Sequence, residues 1–521
     1  MSSEPSLREL PARPSLEHLK HQARTLQREG LAADALAIAR FAACGIASPL
    51  PKLADALHVI AREYGFATWP ALKLHVEVAS EDPAAALAAA LKALDAKLVR
   101  QVLARHPQLR ATLDEPLPGL SFDTPALVFA AMRQSREIVE ALLEAGASID
   151  QRTRWWAGSF GALDFANPEL SAWLIARGAT VDIHAASRLG LIDRVRELLA
   201  ADPQLVHARG GDGQLPLHFA ATVEIAALLL DHGAELDARD IDHESTAAQY
   251  QVSIADPGDG MPRYREAGGG HMVARYLVER GAQTDLLMLS ALGDLARVEA
   301  ILNEDPECVR MTVSERFFPK RDPKSGGCIY FFGFGWTKSP QMLAHQFGHT
   351  AVYDLLMQRS PLWLRLAQAA EVGDEPLVER IVQHHPTLCA KLTPAAARRL
   401  VGIAVRGNTR ALAQLLALGW PADARLENNQ TALHYAAWHG NLAMVRDLLA
   451  YNAPVNVFEA EHGGSPLGWT LHGSMNSWLR DKGDYPAVAH ALLAAGAQIP
   501  KPEGPVEAAE EVLAVIRQHT P

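Results

Sequence analysis

A chain of 521 residues exceeds the roughly 250 to 300 at which one hydrophobic core stops growing, so it divides into domains or extends as a repeat array. Its net charge of -11 lacks the broad basic surface that counterion-driven nucleic-acid binding needs, so no nucleic-acid partner is expected. Cys44, Cys308, Cys328 and Cys389 stand far apart with no CxxC pair, which indicates neither a disulfide framework nor a zinc ribbon.

Apolar residues make up 49% of the chain but aromatics only 6%, so the apolar mass is mostly Ala and Leu, residues of closely packed helices. No segment runs eighteen residues without a polar break, and MSSEPSLREL has no charged region leading into an apolar stretch. A cytoplasmic protein without a membrane partner is expected.

From the N-terminus, PSLEHLKHQARTLQREG and then LADALHVIAREYGFATWPALKLHVEV predict three helices within residues 1–80. From residue 82 to 500 a different pattern takes over, in which an apolar helix closes on a recurring phrase. Examples are LLEAGASID (142–150), LIARGATVD (174–182), LLDHGAELD (229–237), LVERGAQTD (277–285), LLALGWPAD (415–423), LLAYNAPVN (448–456) and LLAAGAQIP (492–500). The Gly or Asn at 146, 178, 233, 281, 419, 452 and 496 is placed to end a helix in the left-handed conformation. Openings such as TPALVFAA (124), LPLHFAA (215) and TALHYAA (431) supply a capping hydroxyl or a first-turn proline, a core Leu and paired alanines. One helix, a sharp turn, a second helix and a glycine-ended loop make a unit of about 33 residues that must stack on its neighbours to bury its face. The helix VEAAEEVLAVIRQ in 501–521 is expected to cap the far end.

These phrases resemble ankyrin repeats. TALHYAAWHGNLAMVRDLLAYNAPVN follows the family pattern nearly throughout, LPLHFAA with LLLDHGAELDARD is nearly as close, and RLGLIDRVRELLAADPQLVHAR (188–209) is similar to a divergent form with Asp-Pro in place of Gly-Ala. The resemblance implies an all-α ankyrin-repeat solenoid of about twelve helix-turn-helix units over 82–500, preceded by a three-helix cap. Residues 1–80 resemble a segment that precedes such repeats in many bacterial proteins. His218 and His434 stand at the motif's own histidine position, where a structural role is expected first.

Insertions are where a repeat departs from stacking alone. QRTRWWAGSFG (151–161) carries Trp155 and Trp156; residues 252–269 and 473–483 lengthen two other units. The longest insertion, 309–339, reads as a β-hairpin finger, with Phe317 and Phe318, a basic turn KRDPKSGG, and then Tyr330, Phe331, Phe332, Phe334 and Trp336 within seven positions. Those aromatics either pack under the finger or form a partner surface. Arg316, Lys320, Arg321 and Lys324 read as a solvated turn.

His345 and His349 have the i, i+4 spacing of metal ligands on a helix, yet no Glu follows the first His, so they too read as structural. No dinucleotide fingerprint, GxxxxGK[ST] loop or GxSxG turn occurs. No catalytic residue, cofactor or metal ligand is assigned.

The reading that follows is a non-catalytic scaffold that binds a protein or peptide through its concave face and finger loops. Its contact candidates are Trp155, Trp156, the 330–336 aromatics, Trp438, His439 and Trp469. With helices about 9 Å apart, five units place the Trp155 loop and the finger roughly 45 Å from each other, too far to share a small molecule. The alternative is an enzyme or small polar-ligand site around 465–485, where Trp469, His472, Ser474, Asn476, Trp478, Asp481, Asp484 and Tyr485 fall close together. That alternative requires His472 and Asp484 to converge in one pocket.

Overall fold

The computed structural model describes residues 8–11, 14–48, 51–78, 82–253, 269–499 and 508–519. It divides into two compact units, Met1–Gln283 with Lys320–Ile329, and Thr284–Pro319 with Tyr330–Pro521.

The first unit opens with four helices rather than the three expected: Leu16–Leu31, Ala35–Ala43, Leu53–Glu63 and Trp69–Val78. The unforeseen one is Ala35–Ala43. Leu36 and Ile38 on it are exposed, so its apolar residues do not trace one buried stripe in the sequence. It forms because Ala33 turns the chain at φ 58° and Asp34 accepts from the Ala37 amide as N-cap. Leu19, Leu26, Phe41, Ile60 and Leu72 give these helices a small core of their own. Beside it the buried Glu63 takes a forked pair of hydrogen bonds from Arg40, at 2.7 and 2.9 Å.

Helical pairs then follow. In the first unit they begin with Pro83–Lys92 and Ala96–Arg105, then Ala126–Met132 and Arg136–Glu144. In two pairs the first member is only a 3-10 turn, Ala162–Asp164 or Pro216–Phe219. In the second unit first helices stack on first helices, Arg399–Val405 on Ala432–Trp438 on Pro466–Asn476. Second helices stack likewise, Thr409–Ala417 on Leu442–Ala450 on Tyr485–Ala494. The close approach rests on small residues: Ala126, Ala130 and Ala131, or Ala432, Ala436 and Ala437, are almost wholly buried.

All the predicted closing positions are left-handed, with φ of 100°, 94°, 93°, 99°, 90° and 87° at Gly146, Gly178, Gly233, Gly281, Gly419 and Gly496, and 61° at Asn452. The motif histidines tie neighbouring units. His434 Nδ1 accepts from the Thr431 amide at 3.1 Å and Nε2 bonds the Gly464 carbonyl at 3.2 Å, and His218 does the same between Leu215 and Ser245.

Among the described residues there is no β-strand; only the isolated bridges 152–161, 239–246 and 425–431 occur, at loops between units. Residues 254–268 of the expected 252–269 insertion lie outside the described residues, as do 501–507. The closing helix is Glu510–His519, which buries Val512 and Ile516. No described helix is long and apolar enough to cross a membrane.

Candidate functional site

On a helix, residues three and four apart share a face. Tyr435, Trp438 and His439 therefore line one side of Ala432–Trp438 and its cap, and Trp469 and His472 line one side of Pro466–Asn476. Stacking the two helices joins these faces into one aromatic cluster. The Trp469 ring meets His434 and Tyr435 edge-on at 5.2 Å each and Trp438 at 6.2 Å. His472 stacks on Trp438 at 5.7 Å with 28° between the planes. Trp478, just past the helix end, leans on Trp438 at 5.9 Å and on His439 at 5.7 Å, yet remains 75% exposed.

Glycines set the spacing. A Cβ on Gly473 would stand 2.8 Å from the Trp438 carbonyl oxygen, and one on Gly440 would stand 2.7 Å from the Gly483 Cα. The insertion is anchored at its return, where the Asp484 amide donates to the Gly440 carbonyl at 2.9 Å and the Tyr485 hydroxyl to the Trp438 carbonyl at 2.9 Å. His439 lies beneath Trp478, 5% exposed, and its buried Nδ1 has no hydrogen-bond partner among the described residues. Burial pushes its pKa down to about 4, so the ring is neutral at pH 7.

The polar residues of this stretch do not converge. His472 and Asp484 are both exposed; Asp484 is the N-cap of Tyr485–Ala494, accepting from the Ala487 amide at 3.2 Å. The Ser474 hydroxyl donates to the Leu471 carbonyl and accepts from the Ala509 amide, which makes it a packing group. Asn476 donates to the His472 carbonyl of its own helix. Acid and hydroxyl are taken up by backbone groups, and the base by the Trp438 ring and the Asn476 amide. A shallow groove of about 560 Å³ does occur in this unit, but it is lined by Arg425, Asn429 and 454–458, with Phe458 half exposed. No periodicity marked those loop residues in advance.

The finger is not a hairpin. Tyr330–Gly333 is a helical turn, and the tip bonds to loop 240–245 instead of to a facing strand. The Arg321 and Asp322 amides donate to the Glu244 carboxylate at 2.7 to 3.0 Å. The Gly326 amide donates to Asp242, and the Ile329 amide to the Ser245 hydroxyl at 3.0 Å. With its donors so engaged, the segment has no need of a ladder. Tyr330, Phe331 and Phe334 are buried, the Tyr330 hydroxyl donating to Asp285 at 2.9 Å; Phe332 and Trp336 stay exposed, with Trp336 stacked on Phe331 at 4.1 Å.

Trp155 packs edge-on to Phe122 at 4.9 Å, whereas Trp156 is exposed. The 45 Å separation expected between the Trp155 loop and the finger does not hold for the tip: Trp155 lies near the Asp242 carboxylate that holds Gly326. The tip folds back over loop 240–245, a path that counting units along a stack ignores. His345 and His349 do not meet as ligands; His349 Nε2 bonds the Ala291 carbonyl at 2.9 Å, and His345 is exposed against Tyr353.

Beside the tip, Asp212, Asp242 and His243 bring their side chains together. Sequence spacing hid the set, since Asp212 belongs to the repeat before the adjacent Asp242 and His243. A signal was present: Asp212 and His243 stand at the same register, three residues before the helix-opening Leu215 and Thr246.

Residues 395–449 match the model of ankyrin repeats (many copies), and 123–154 and 212–241 match that of the ankyrin repeat. Among solved structures, the human ASB11 ankyrin repeat domain is similar at 16% identity over 61% of this chain and 99% of its own, with a TM-score of 0.24. An ankyrin repeat domain from Acinetobacter baumannii AYE is similar at 19% identity over 41% of this chain and 98% of its own, with a TM-score of 0.23. No curated protein matches.

Proposed function

This chain carries ankyrin repeats, and on that premise we propose that it is a non-catalytic scaffold whose C-terminal units bind a protein or peptide partner. Ankyrin repeats are generally protein-interaction modules, because stacked pairs present a continuous surface of exposed side chains. The observation that carries the reading is Trp478, 75% exposed yet braced by Trp438 and His439. An aromatic held rigid before binding loses little conformational freedom on contact, and Trp is the residue most enriched among interface anchors.

Trp438, Trp469, His472 and Trp478 form the main contact set. Phe332 and Trp336 are a lesser set, since Tyr330, Phe331 and Phe334 beside them are buried. The polar-ligand alternative draws no support from His472 and Asp484, which point to solvent and to a helix cap.

The test is cross-linking capture with the full chain as bait, comparing wild type with the W438A/W478A and F332A/W336A doubles, each checked for native circular dichroism. The first double is expected to lose a partner that wild type and the second double retain. Equal recovery by all three would overturn the assignment of the surface.

A further inference from the structure

The group formed by Asp212, Asp242 and His243 lies outside the contact set proposed above, and its chemistry differs from that of a solvated loop. Their side chains are only 14%, 8% and 12% exposed. One ligand atom from each lies within 4.8 Å of the others. The His243 Nε2 is 3.6 Å from Asp212 Oδ2 and 3.8 Å from Asp242 Oδ2. Three donors about 2.1 Å from a common centre stand roughly 3.0 to 3.6 Å apart, so closing separations that are now 3.6, 3.8 and at most 4.8 Å would give each the same distance to one ion.

Each ligand is held from behind. His243 Nδ1 bonds the Gly327 carbonyl at 3.0 Å; a carbonyl only accepts, so Nδ1 carries the hydrogen and Nε2 faces the carboxylates. Asp242 Oδ1 accepts from the Gly326 amide at 3.0 Å, leaving Oδ2 toward the centre. Asp212 sits in the left-handed region at φ 54°, fixed where its carbonyl accepts the Ile241 and Asp242 amides at 2.9 and 3.1 Å. Among the described residues Asp212 Oδ1 is buried with no hydrogen-bond partner, and the Trp155 indole lies against the Asp242 carboxylate. A buried carboxylate oxygen without a donor is costly unless something cationic completes it.

We propose that Asp212, Asp242 and His243 bind a first-row transition-metal dication, of the Zn²⁺ or Mn²⁺ class, which pins the finger tip to loop 240–245. Two carboxylates with one imidazole favour these ions over Ca²⁺, which takes six to eight oxygens, and over Mg²⁺, which keeps most of its waters. The ion would offset the charge of both carboxylates, and its coupling to the tip runs through Gly326 and Gly327, each bonded to a ligand side chain. The competing occupant is a proton, since the flanking carboxylates hold His243 against its burial up to about 9.

Titration of the chelator-stripped full chain with Zn²⁺ and Mn²⁺, with Mg²⁺ as control, separates the two. Calorimetry is expected to show one equivalent bound, with a change in indole fluorescence that W155F removes while stoichiometry stays at one. D212N and D242N, near-isosteric and tolerant of folding, are expected to weaken binding at least tenfold, and metal is expected to slow amide exchange in 320–329. No stoichiometric binding by wild type, with an imidazolium ring signal from His243 at neutral pH, would overturn the site in favour of the proton. Binding left unchanged by both variants would overturn it as well.

Discussion

The finger and the stretch from 466 to 484 are both rich in aromatic residues, and the chain uses them in opposite ways. In the finger, Tyr330, Phe331 and Phe334 go inward and Trp336 lies flat on Phe331. In the later stretch Trp478 is 75% exposed although two rings, Trp438 and His439, brace it. The difference lies in the backbone. The finger is long enough for its tip amides to find carboxylates and a hydroxyl on loop 240–245, so its aromatics are released to serve as core. The later insertion leaves from one helix and returns at once to the next through Asp484 and Tyr485, and Trp478 at its start is left outside. Aromatic density in a sequence therefore reports the need for packing and not exposure.

The largest expected effect breaks the comparison on the finger side. Phe334→Ala should cost about 3 to 5 kcal/mol in chemical denaturation of the full chain, through lost burial and a cavity beside Tyr330. Phe332→Ala, two residues away and exposed, should change stability by no more than about 0.5 kcal/mol. Similar costs for the two would mean that the finger aromatics are not divided between core and surface.

Next in size is the response of the C-terminal cluster to acid. His439 titrates at about 4 in the fold and near 6.5 when unfolded, so between those values the unfolded chain takes up the proton first. Stability from this residue is complete above pH 6.5 and is lost as pH falls toward 4, by on the order of 3 kcal/mol at most. Urea midpoints of the second unit followed by Trp fluorescence at pH 7.5 and 4.5 should show this drop, and His439→Phe should flatten it. Gly473→Ala should cost about 1 to 3 kcal/mol, because its Cβ meets the Trp438 carbonyl oxygen and Tyr485.

Much of the fold was legible because repeats repeat: left-handed Gly146, Gly178 and Gly281, the alanine pairs and the ring of His434 follow from local chemistry that recurs down the chain. The short helix Ala35–Ala43 was not, since Leu36 and Ile38 on it are exposed and blur its stripe. The candidate surface was half legible. Trp438, Trp469 and His472 sit at helical spacing and could be placed together, whereas the fate of Tyr330 and Phe331 depended on where a long loop would bond. Asp212 and the Asp242–His243 pair were missed for the same reason, their shared register being a faint signal, and nothing marked the groove at Arg425 and Phe458. Contacts between loops of different units carry no period.

The smallest effect on stability is the one that sharpens the comparison most. Trp478→Ala removes a ring that is mostly in water, so unfolding should shift by less than about 0.5 kcal/mol, in contrast to Phe334→Ala. Its neighbours should hold their places, because Trp438 remains stacked with His472 and hydrogen-bonded through its carbonyl to Tyr485. If the ring is an interface anchor, the same change should weaken a captured partner by roughly 2 kcal/mol or more, about thirtyfold in affinity. A large loss of stability with no change in binding would instead make Trp478 a lid over His439, and the two aromatic regions would then differ only in degree.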